Sequence, residues 1–557
     1  FLDAAQQSKH EFHSVMILRH GKVVAEGWWN PYRPDLKHTM YSVSKSFTAT
    51  AVGFAVHENR LRVSDKVISF FPDDLPETIS PYLAELNVRD LLSMSAGQEP
   101  DPTPLVGRDS NWIKAFLATP IVHKPGSKFL YNSLCTYMLS AIVQKVTGEK
   151  VIDYLRPRLF TPLGISGMDW EVDPMGINVG GWGLRVKTED MAKFGQLFLQ
   201  KGMWNGQQIL PAAWVEEAST LKIIQHPDMP QAKRDSSDWE QGYCYQMWRS
   251  RHNSYRGDGA FGQFIIVMPD QDAVVVITSE TADMQQEFNL VWKYLLPALQ
   301  KESLPANKKA AARLKKKLAS LALPIPAKTA ASPLAKTIVG KTFSLSPNDR
   351  FIQNMSFQWK GDNCQLTVKN NTETHLLTFG AGKWVFGETT QLGPSLVKGA
   401  KAHFVGLPPA QVAGGYRWKD QNTLELTLRY IESPHTETFT CRFDQNNLTV
   451  EAQSSFGQKN IETFSGITQA DGYKPARLIV RGDDMGFSHS GNEALLKSSK
   501  EGIQTAIEVI VPSPWFPEAV RMLEQNPGID VGVHLAITSE WDNVKWRPLT
   551  DCPSIRN

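Results

Sequence analysis

Ser42-Val43-Ser44-Lys45 places a hydroxyl and an amine three residues apart, at the head of a helical pattern carrying Phe47, Ala51, Val52, Phe54, Ala55 and Val56. At that spacing the two side chains share one helix face. The helix N-terminus meanwhile directs backbone N–H groups and a positive dipole end at developing negative charge. Partial desolvation pushes such a lysine toward its neutral amine, which can take the serine proton and release a nucleophile. The chemistry implied is acyl transfer. The spacing alone is a weak signal, because Ser395-Leu396-Val397-Lys398 repeats it in a β-rich stretch with no helix behind it. That second copy reads as a decoy.

Two further segments add polar and glycine-rich elements to the same stretch of chain. Pro125-Gly126-Ser127-Lys128-Phe129-Leu130-Tyr131-Asn132-Ser133 precedes a long amphipathic helix and puts a tyrosine on a loop at a helix start. Arg256-Gly257-Asp258-Gly259-Ala260-Phe261-Gly262-Gln263 runs into the strand Phe264 to Met268, a glycine-rich edge over which a substrate backbone can pass closely. Helix-start Ser/Lys, loop tyrosine and glycine-rich edge, in this order over about residues 1–295, resemble the serine β-lactamase and penicillin-binding-protein superfamily. The Ser-Val-Ser-Lys-Ser run, the Pro-Gly-x-x-Phe-x-Tyr loop, Gly181-Trp182-Gly183-Leu184-Arg185 and the Gly-Gln pair are similar to the class C β-lactamase-related hydrolases. That group includes family VIII carboxylesterases, D-aminopeptidases and nylon-oligomer hydrolases.

The resemblance implies Ser42 as acylated nucleophile, Lys45 as its base and Tyr131 as proton shuttle, with either Lys45 or Tyr131 taking the first proton. It also implies an oxyanion hole from the backbone N–H groups of Ser42 and Ala260, and a cofactor-free reaction. Asn132, Ser133, Gly257, Asp258 and Gly259 fall at the family's substrate-binding positions. Two departures bear on substrate. Gly257-Asp258-Gly259 stands where β-lactamases carry Lys-Thr-Gly, and Ser133 stands where the family has asparagine two positions after its tyrosine. The expectation is therefore an esterase or amidase with weak or no β-lactamase activity, acting on a small or oligomeric substrate with an uncharged or cationic acyl group. Asp258 is the residue expected to meet a cation. A penicillin-binding-like sensor that is acylated without turnover is the alternative.

Near the far end, Arg481-Gly482-Asp483-Asp484-Met485-Gly486 follows the β pattern Leu478 to Val480, and Gly532-Val533-His534-Leu535 closes another. Acids and a histidine at the carboxyl ends of parallel strands suit a divalent-metal site. The segment resembles the YdjC-like carbohydrate deacetylases, which implies Asp483 as general base, Asp484 and His534 as metal ligands, and removal of N-acetyl groups from amino sugars. The family pattern asks for a further histidine, so the segment reads as an incomplete deacetylase and as a third, weaker functional alternative. His489 reads as a turn residue.

The elements that must position these residues fall into blocks. Residues 1–302 alternate β and amphipathic helical patterns, expected to form an α/β serine β-lactamase-like domain whose antiparallel sheet is flanked by helices and closed by its two ends. Residues 303–336, rich in Ala, Lys and Pro, read as a linker with a solvated basic helix. Residues 337–468 alternate with period two between turns, the pattern of a small, lipocalin-like antiparallel β-barrel or sandwich without a catalytic constellation. Residues 469–557 read as a partial (β/α) barrel segment. Trp28, Trp29, Tyr32, Trp112, Trp182 and Trp248 are candidates to line a cleft, most of them as core.

Composition bounds the classes. Over 557 residues, 41% hydrophobic and 21% charged residues describe a globular multidomain chain. A net charge of +2 gives no drive toward nucleic acid. No apolar run reaches the ~20 residues that span a bilayer. Five scattered cysteines argue against a zinc knot or a disulfide framework. No basic, apolar, small-residue leader pattern stands at Phe1, and a periplasmic or secreted setting is the expectation carried by the resemblance.

Overall fold

The structure, a computed structural model, describes residues 1–104, 110–302, 304–396, 407–457, 461–468, 478–536, 539, 545 and 546. The chain divides into two compact units, Phe1–Gln469 and Ala470–Asn557.

In the first unit, six strands form one antiparallel sheet: β1 (Glu11–Arg19), β2 (Lys22–Trp28), β3 (Trp248–Ser250), β4 (Ser254–Gly259), β5 (Gln263–Met268) and β6 (Ala273–Glu280), in the order β2-β1-β6-β5-β4-β3. The N-terminal hairpin docks on the last strand, with Val15 opposite Ile277 and Ile17 opposite Val275. Both faces of β1, β5 and β6 are covered, which explains their continuous apolar runs. Met16, Ile265, Val274 and Val276 face a helical layer, whereas Val15, Phe264, Val275 and Ile277 face a second core with Phe288 and Trp292.

That helical layer is built from α1 (Ser44–His57), α2 (Ser133–Thr147) and α3 (Thr188–Leu199). α1 is buried from Ser44 through Ala55, its polar residues Ser44, Lys45, Ser46, Thr48 and Thr50 included, so packing holds its start from every side. α3 approaches the sheet through Gly195, where a Cβ would fall 2.6 Å from Val274.

The chain then crosses as α4 (Lys308–Ala319) into ten strands: β7 (Thr342–Leu345), β8 (Ile352–Lys360), β9 (Asn363–Asn370), β10 (Thr374–Ala381), β11 (Val385–Thr389), β12 (Ala410–Trp418), β13 (Thr423–Tyr430), β14 (Thr436–Asp444), β15 (Asn447–Ser454) and β16 (Glu462–Thr468). Nine close as a barrel in the order β10-β9-β8-β7-β16-β15-β14-β13-β12, and β11 adds to the outside of β12. The barrel alternative therefore holds over the sandwich. The seam is a parallel pairing of Gly380 with Gly415 and Ala381 with Tyr416. Gly414 permits it, since a Cβ there would lie 2.2 Å from the Thr378 carbonyl oxygen.

The Ala/Lys/Pro stretch is not the freely solvated linker its composition suggests. Leu318 and Leu321 lie over Gly27 of β2, Leu321 and Leu323 are buried, and Thr329 Oγ1 accepts from the Trp418 amide at 2.9 Å. Apolar teeth in a polar strap pin it to both sheets. The barrel itself is bound to the domain of the six-stranded sheet. Arg429 grips Glu11 with two hydrogen bonds of 2.5 and 3.0 Å, Tyr32 donates to the Ser433 carbonyl at 2.9 Å, and Ile431, Trp384 and Ala413 enter the second core.

The second unit holds a parallel sheet of β17 (Arg481–Met485), β18 (Ala506–Ile510) and β19 (Asp530–His534), joined by α5 (His489–Glu501) and α6 (Phe516–Glu524). The first strand sits later than its β-branched run suggested. It spans the two aspartates, and the register breaks between Gly482 and Met485, where Asp484 takes φ +69°. Among the described residues no helix is long and apolar enough to cross a membrane.

Candidate active site

Ser42 lies in the single turn Tyr41–Val43 that feeds α1. The helix start is fixed from both sides. Ser44 Oγ accepts from the Leu184 amide at 3.2 Å, and Ser46 Oγ donates to the Gln246 carbonyl at 2.9 Å. One helical turn on, Lys45 Nζ donates to Ser42 Oγ at 3.0 Å, to Ser133 Oγ at 3.0 Å and to the Gly181 carbonyl at 2.6 Å. Lys45 is 1% exposed, whereas Ser42 and Ser133 keep partial access to solvent. Burial pushes the Lys45 amine down to about 7, with Asp101 and Asp258 among the groups that oppose the shift.

Tyr131 completes the cluster. Its ring stacks on Trp248 with centroids 5.6 Å apart and meets Tyr243 edge-on, while Lys45 Nζ stands 4.9 Å from the ring centre. Burial pushes the phenol well up, against a hydrogen bond to Ser42 that acts in the opposite direction. The geometry thus brings together Ser42, Lys45, Tyr131 and Ser133. A neutral amine and a protonated phenol flank one hydroxyl, which is the equipment of a base and an acid around a nucleophile.

The other substrate-binding candidates divide. Asn132 is buried. Its Oδ1 caps α2 by accepting from the Leu134 amide at 2.9 Å, and its Nδ2 donates to Gln98 at 2.9 Å, so both amide atoms are engaged within the fold. Gly257 and Gly259 lie on the β4 face that meets the nucleophile turn. A Cβ on Gly257 would touch Ser46 at 3.2 Å, and one on Gly259 would fall 2.3 Å from the Met40 carbonyl oxygen. Only glycine lets this edge pass so close to the turn that carries Ser42. Asp258, between these glycines, is held by Arg256 at 2.8 Å and still acts electrostatically on Lys45 and Tyr131. Arg256 is itself buried over Trp239 and Phe288, at 4.4 and 4.8 Å. The expectation that Asp258 meets a substrate cation is corrected accordingly, because its charge is already matched inside the fold.

Four participants were not picked out as such from the sequence: the Gly181 carbonyl, the Trp248 stack on Tyr131, and the contacts of Glu280 and His435 behind Tyr41. Gly181 and Trp248 did stand in segments singled out there. Of the remaining aromatic candidates, Trp29, Tyr32, Trp112 and Trp182 are buried. Trp182 also lines a cavity of about 270 Å³ where the barrel meets the nucleophile turn, together with Tyr41, Gly183, Leu392, Tyr430 and Glu432. Lys398 of the second Ser-x-x-Lys lies outside the described residues.

In the second unit Asp484 Oδ1 and His534 Nδ1 approach to 2.7 Å from the ends of β17 and β19, the two strands that flank β18, rather than from adjacent strands. Asp483 is instead paired with Arg481 at 2.6 Å, and His489 with Glu518 at 2.8 Å. Among the described residues no three acidic, histidine or cysteine groups gather as a metal-binding set. The donors present fall short of the three protein ligands of a catalytic zinc site.

Comparison with known proteins agrees with this division. The sequence model described as Beta-lactamase matches residues 6–300, and the one described as YdjC-like protein matches residues 477–557. The 6-aminohexanoate-dimer hydrolase of Paenarthrobacter ureafaciens is 27% identical over 288 residues, covering 48% of this chain and 73% of that protein. Among solved structures, an octameric penicillin-binding protein homologue from Pyrococcus abyssi is 15% identical with a TM-score of 0.43, over 83% of this chain and 98% of its own. EstCE1, a hydrolase with promiscuous acyltransferase activity, is 16% identical with a TM-score of 0.42, over 51% of this chain and 92% of its own.

Proposed function

The chain belongs to the Beta-lactamase family of serine hydrolases, and from that premise we propose that its first unit hydrolyses esters or amides through an acyl-enzyme on Ser42. The observation that carries the reading is Lys45 Nζ at 3.0 Å from Ser42 Oγ, in a pocket whose burial brings the amine to about 7. Neutral Lys45 accepts the Ser42 proton as Oγ attacks the substrate carbonyl carbon. The oxyanion is held by the backbone N–H groups of Ser42 and Ala260. The carbon–heteroatom bond then breaks as Tyr131 gives its proton to the leaving oxygen or nitrogen, and Lys45 returns a proton to Tyr131. Water repeats the sequence on the acyl-serine. Lys45 is the base in this scheme because burial favours the neutral amine and disfavours the tyrosinate.

The substrate is an ester or amide with an uncharged acyl group, since Asp258 is already paired and Arg256 is sealed beneath tryptophan. With no lysine on the edge strand, β-lactam turnover is weak or absent. A periplasmic or secreted setting fits such substrates and is testable by cell fractionation. In the second unit, Asp484 and His534 offer a divalent cation two donors, and the catalytic assignment stays with Ser42.

The test is a panel of short acyl esters, D-amino-acid amides and a chromogenic cephalosporin, run on wild type and Ser42→Ala. Turnover of esters or amides that disappears in Ser42→Ala is expected. Stoichiometric acylation without turnover would replace the hydrolase with a sensor.

A further inference from the structure

His435, in the barrel loop between β13 and β14, is fully buried against the back of the serine site. Its Nδ1 lies 2.7 Å from Glu280 Oε1 at the end of β6, and Ser455 Oγ donates to the same carboxylate oxygen at 2.7 Å. With Nδ1–H donating to the Glu280 carboxylate, Nε2 presents its lone pair to the Tyr41 hydroxyl, with which it makes a short hydrogen bond. Burial keeps the Tyr41 phenol protonated and hence a donor. His435 also packs edge-on against Phe261, with centroids 4.8 Å apart, and meets Phe456 in a tilted contact at 4.2 Å. Tyr41 and Phe261 meet one another at 5.5 Å.

These two partners occupy special positions. Tyr41 immediately precedes Ser42 and Phe261 immediately follows Ala260, so each flanks one of the two amides assigned to the oxyanion hole. Both adopt left-handed backbone, φ +46° and +66°, which bulky residues hold only when their surroundings compel it. The left-handed backbone flanking both amides is thus held by side chains that converge on one barrel histidine.

We propose that His435 is a positioning residue for the oxyanion hole, so that the β-barrel is a working part of the serine site. The inference rests on the acyl-enzyme reading above. It acts through Tyr41 and Phe261, without contact to substrate, by fixing the spacing of the Ser42 and Ala260 amides. Removing one oxyanion donor outright typically costs 10²–10³-fold in kcat. Loosening both by loss of the anchor is expected to cost about 10–100-fold, with KM nearly unchanged.

The experiment compares wild type, Ser42→Ala, His435→Ala, His435→Asn and His435→Gln in the full chain. The readouts are kcat and KM for an ester substrate, affinity for an arylboronic acid that forms a tetrahedral adduct on the serine, and thermal midpoint. Gln reaches the Nε2 position and keeps the bond to Tyr41, whereas Asn reaches only Nδ1. The expected result is a fall in kcat and in boronate affinity by a common factor in His435→Ala and His435→Asn, with His435→Gln within about 3-fold of wild type. A lowered midpoint with kcat and boronate affinity intact would leave His435 a structural contact and overturn the proposal, as would equal losses in the Asn and Gln variants. If Ser42→Ala retains turnover, the acyl-enzyme reading falls and takes this proposal with it. If Ser42→Ala is inactive while His435→Ala matches wild type, only this proposal falls.

Discussion

Ser133 Oγ lies 3.0 Å from Lys45 Nζ and accepts a hydrogen bond from it. The lysine therefore has Ser42, Ser133 and the Gly181 carbonyl as partners, and Ser133 both orients the amine and accepts from it when it is charged. Ser133→Ala is expected to lower kcat/KM about 10-fold, the scale of one hydrogen bond to a charged group, without changing the fold as read by circular dichroism. It should also move the acidic limb of the kcat/KM profile to lower pH, because the ammonium loses an acceptor. An unchanged profile would remove Ser133 from the base's environment.

A base brought to about 7 by burial works only when it is neutral. The profile of kcat/KM for an ester is thus expected to rise with pH through about 7 and to level above it, while Tyr131, pushed up by burial, stays protonated and able to donate. A rise appearing only in the range of a free lysine or tyrosine would contradict the assignment.

The same shift has a stability consequence of fixed sign. The unfolded chain binds more protons at Lys45 than the native one between about 7 and its ordinary value of 10.5. This residue therefore weakens the fold fully below 7, and the penalty fades as pH rises to 10.5. Lys45→Met is expected to raise stability by on the order of 1–3 kcal/mol near neutrality, with the gain shrinking toward pH 10 in urea denaturation. A loss of stability at pH 7 would show that the hydrogen bonds outweigh desolvation.

Arg256 makes an opposite prediction. It is fully buried, donates to the Asp238 carbonyl at 2.8 Å and to Ser250, and neutralises Asp258. Arg256→Met leaves Asp258 without its counter-charge and is expected to cost about 3–5 kcal/mol in urea unfolding. The double variant with Asp258→Asn should recover part of the loss. Equal stability of the single and double variants would mean that the pair does not act as a unit.

What was legible in the sequence was what is local. Ser42 and Lys45 are joined by helix geometry alone, and the hairpin and the barrel strands announce themselves through period and turn residues, whereas the β-branched run Leu478 to Val480 drew the first strand of the second unit too early. The parts that stayed hidden come from far along the chain. The Gly181 carbonyl reaches Lys45 across 136 residues, and His435 reaches Tyr41 across 394. A backbone acceptor has no residue type to give it away, and a lone histidine in a β-rich stretch reads as packing. Asn132 misled for the converse reason: an asparagine before a helix is suited equally to binding and to capping, and its neighbours Gln98 and Leu134 decide for capping. Asp258 misled because its partner two residues back points to the same side of β4, a pairing that period two predicts once the strand is placed.

The central claim, a covalent acyl-enzyme on Ser42, is tested most directly by intact-protein and peptide mass spectrometry after brief exposure to a fluorophosphonate and, separately, to a slowly hydrolysed aryl ester. The account predicts one adduct per chain, located on Ser42 and absent from Ser42→Ala, with the ester-derived adduct decaying at the rate of turnover. An adduct on another residue, or undiminished labelling of Ser42→Ala, would contradict it.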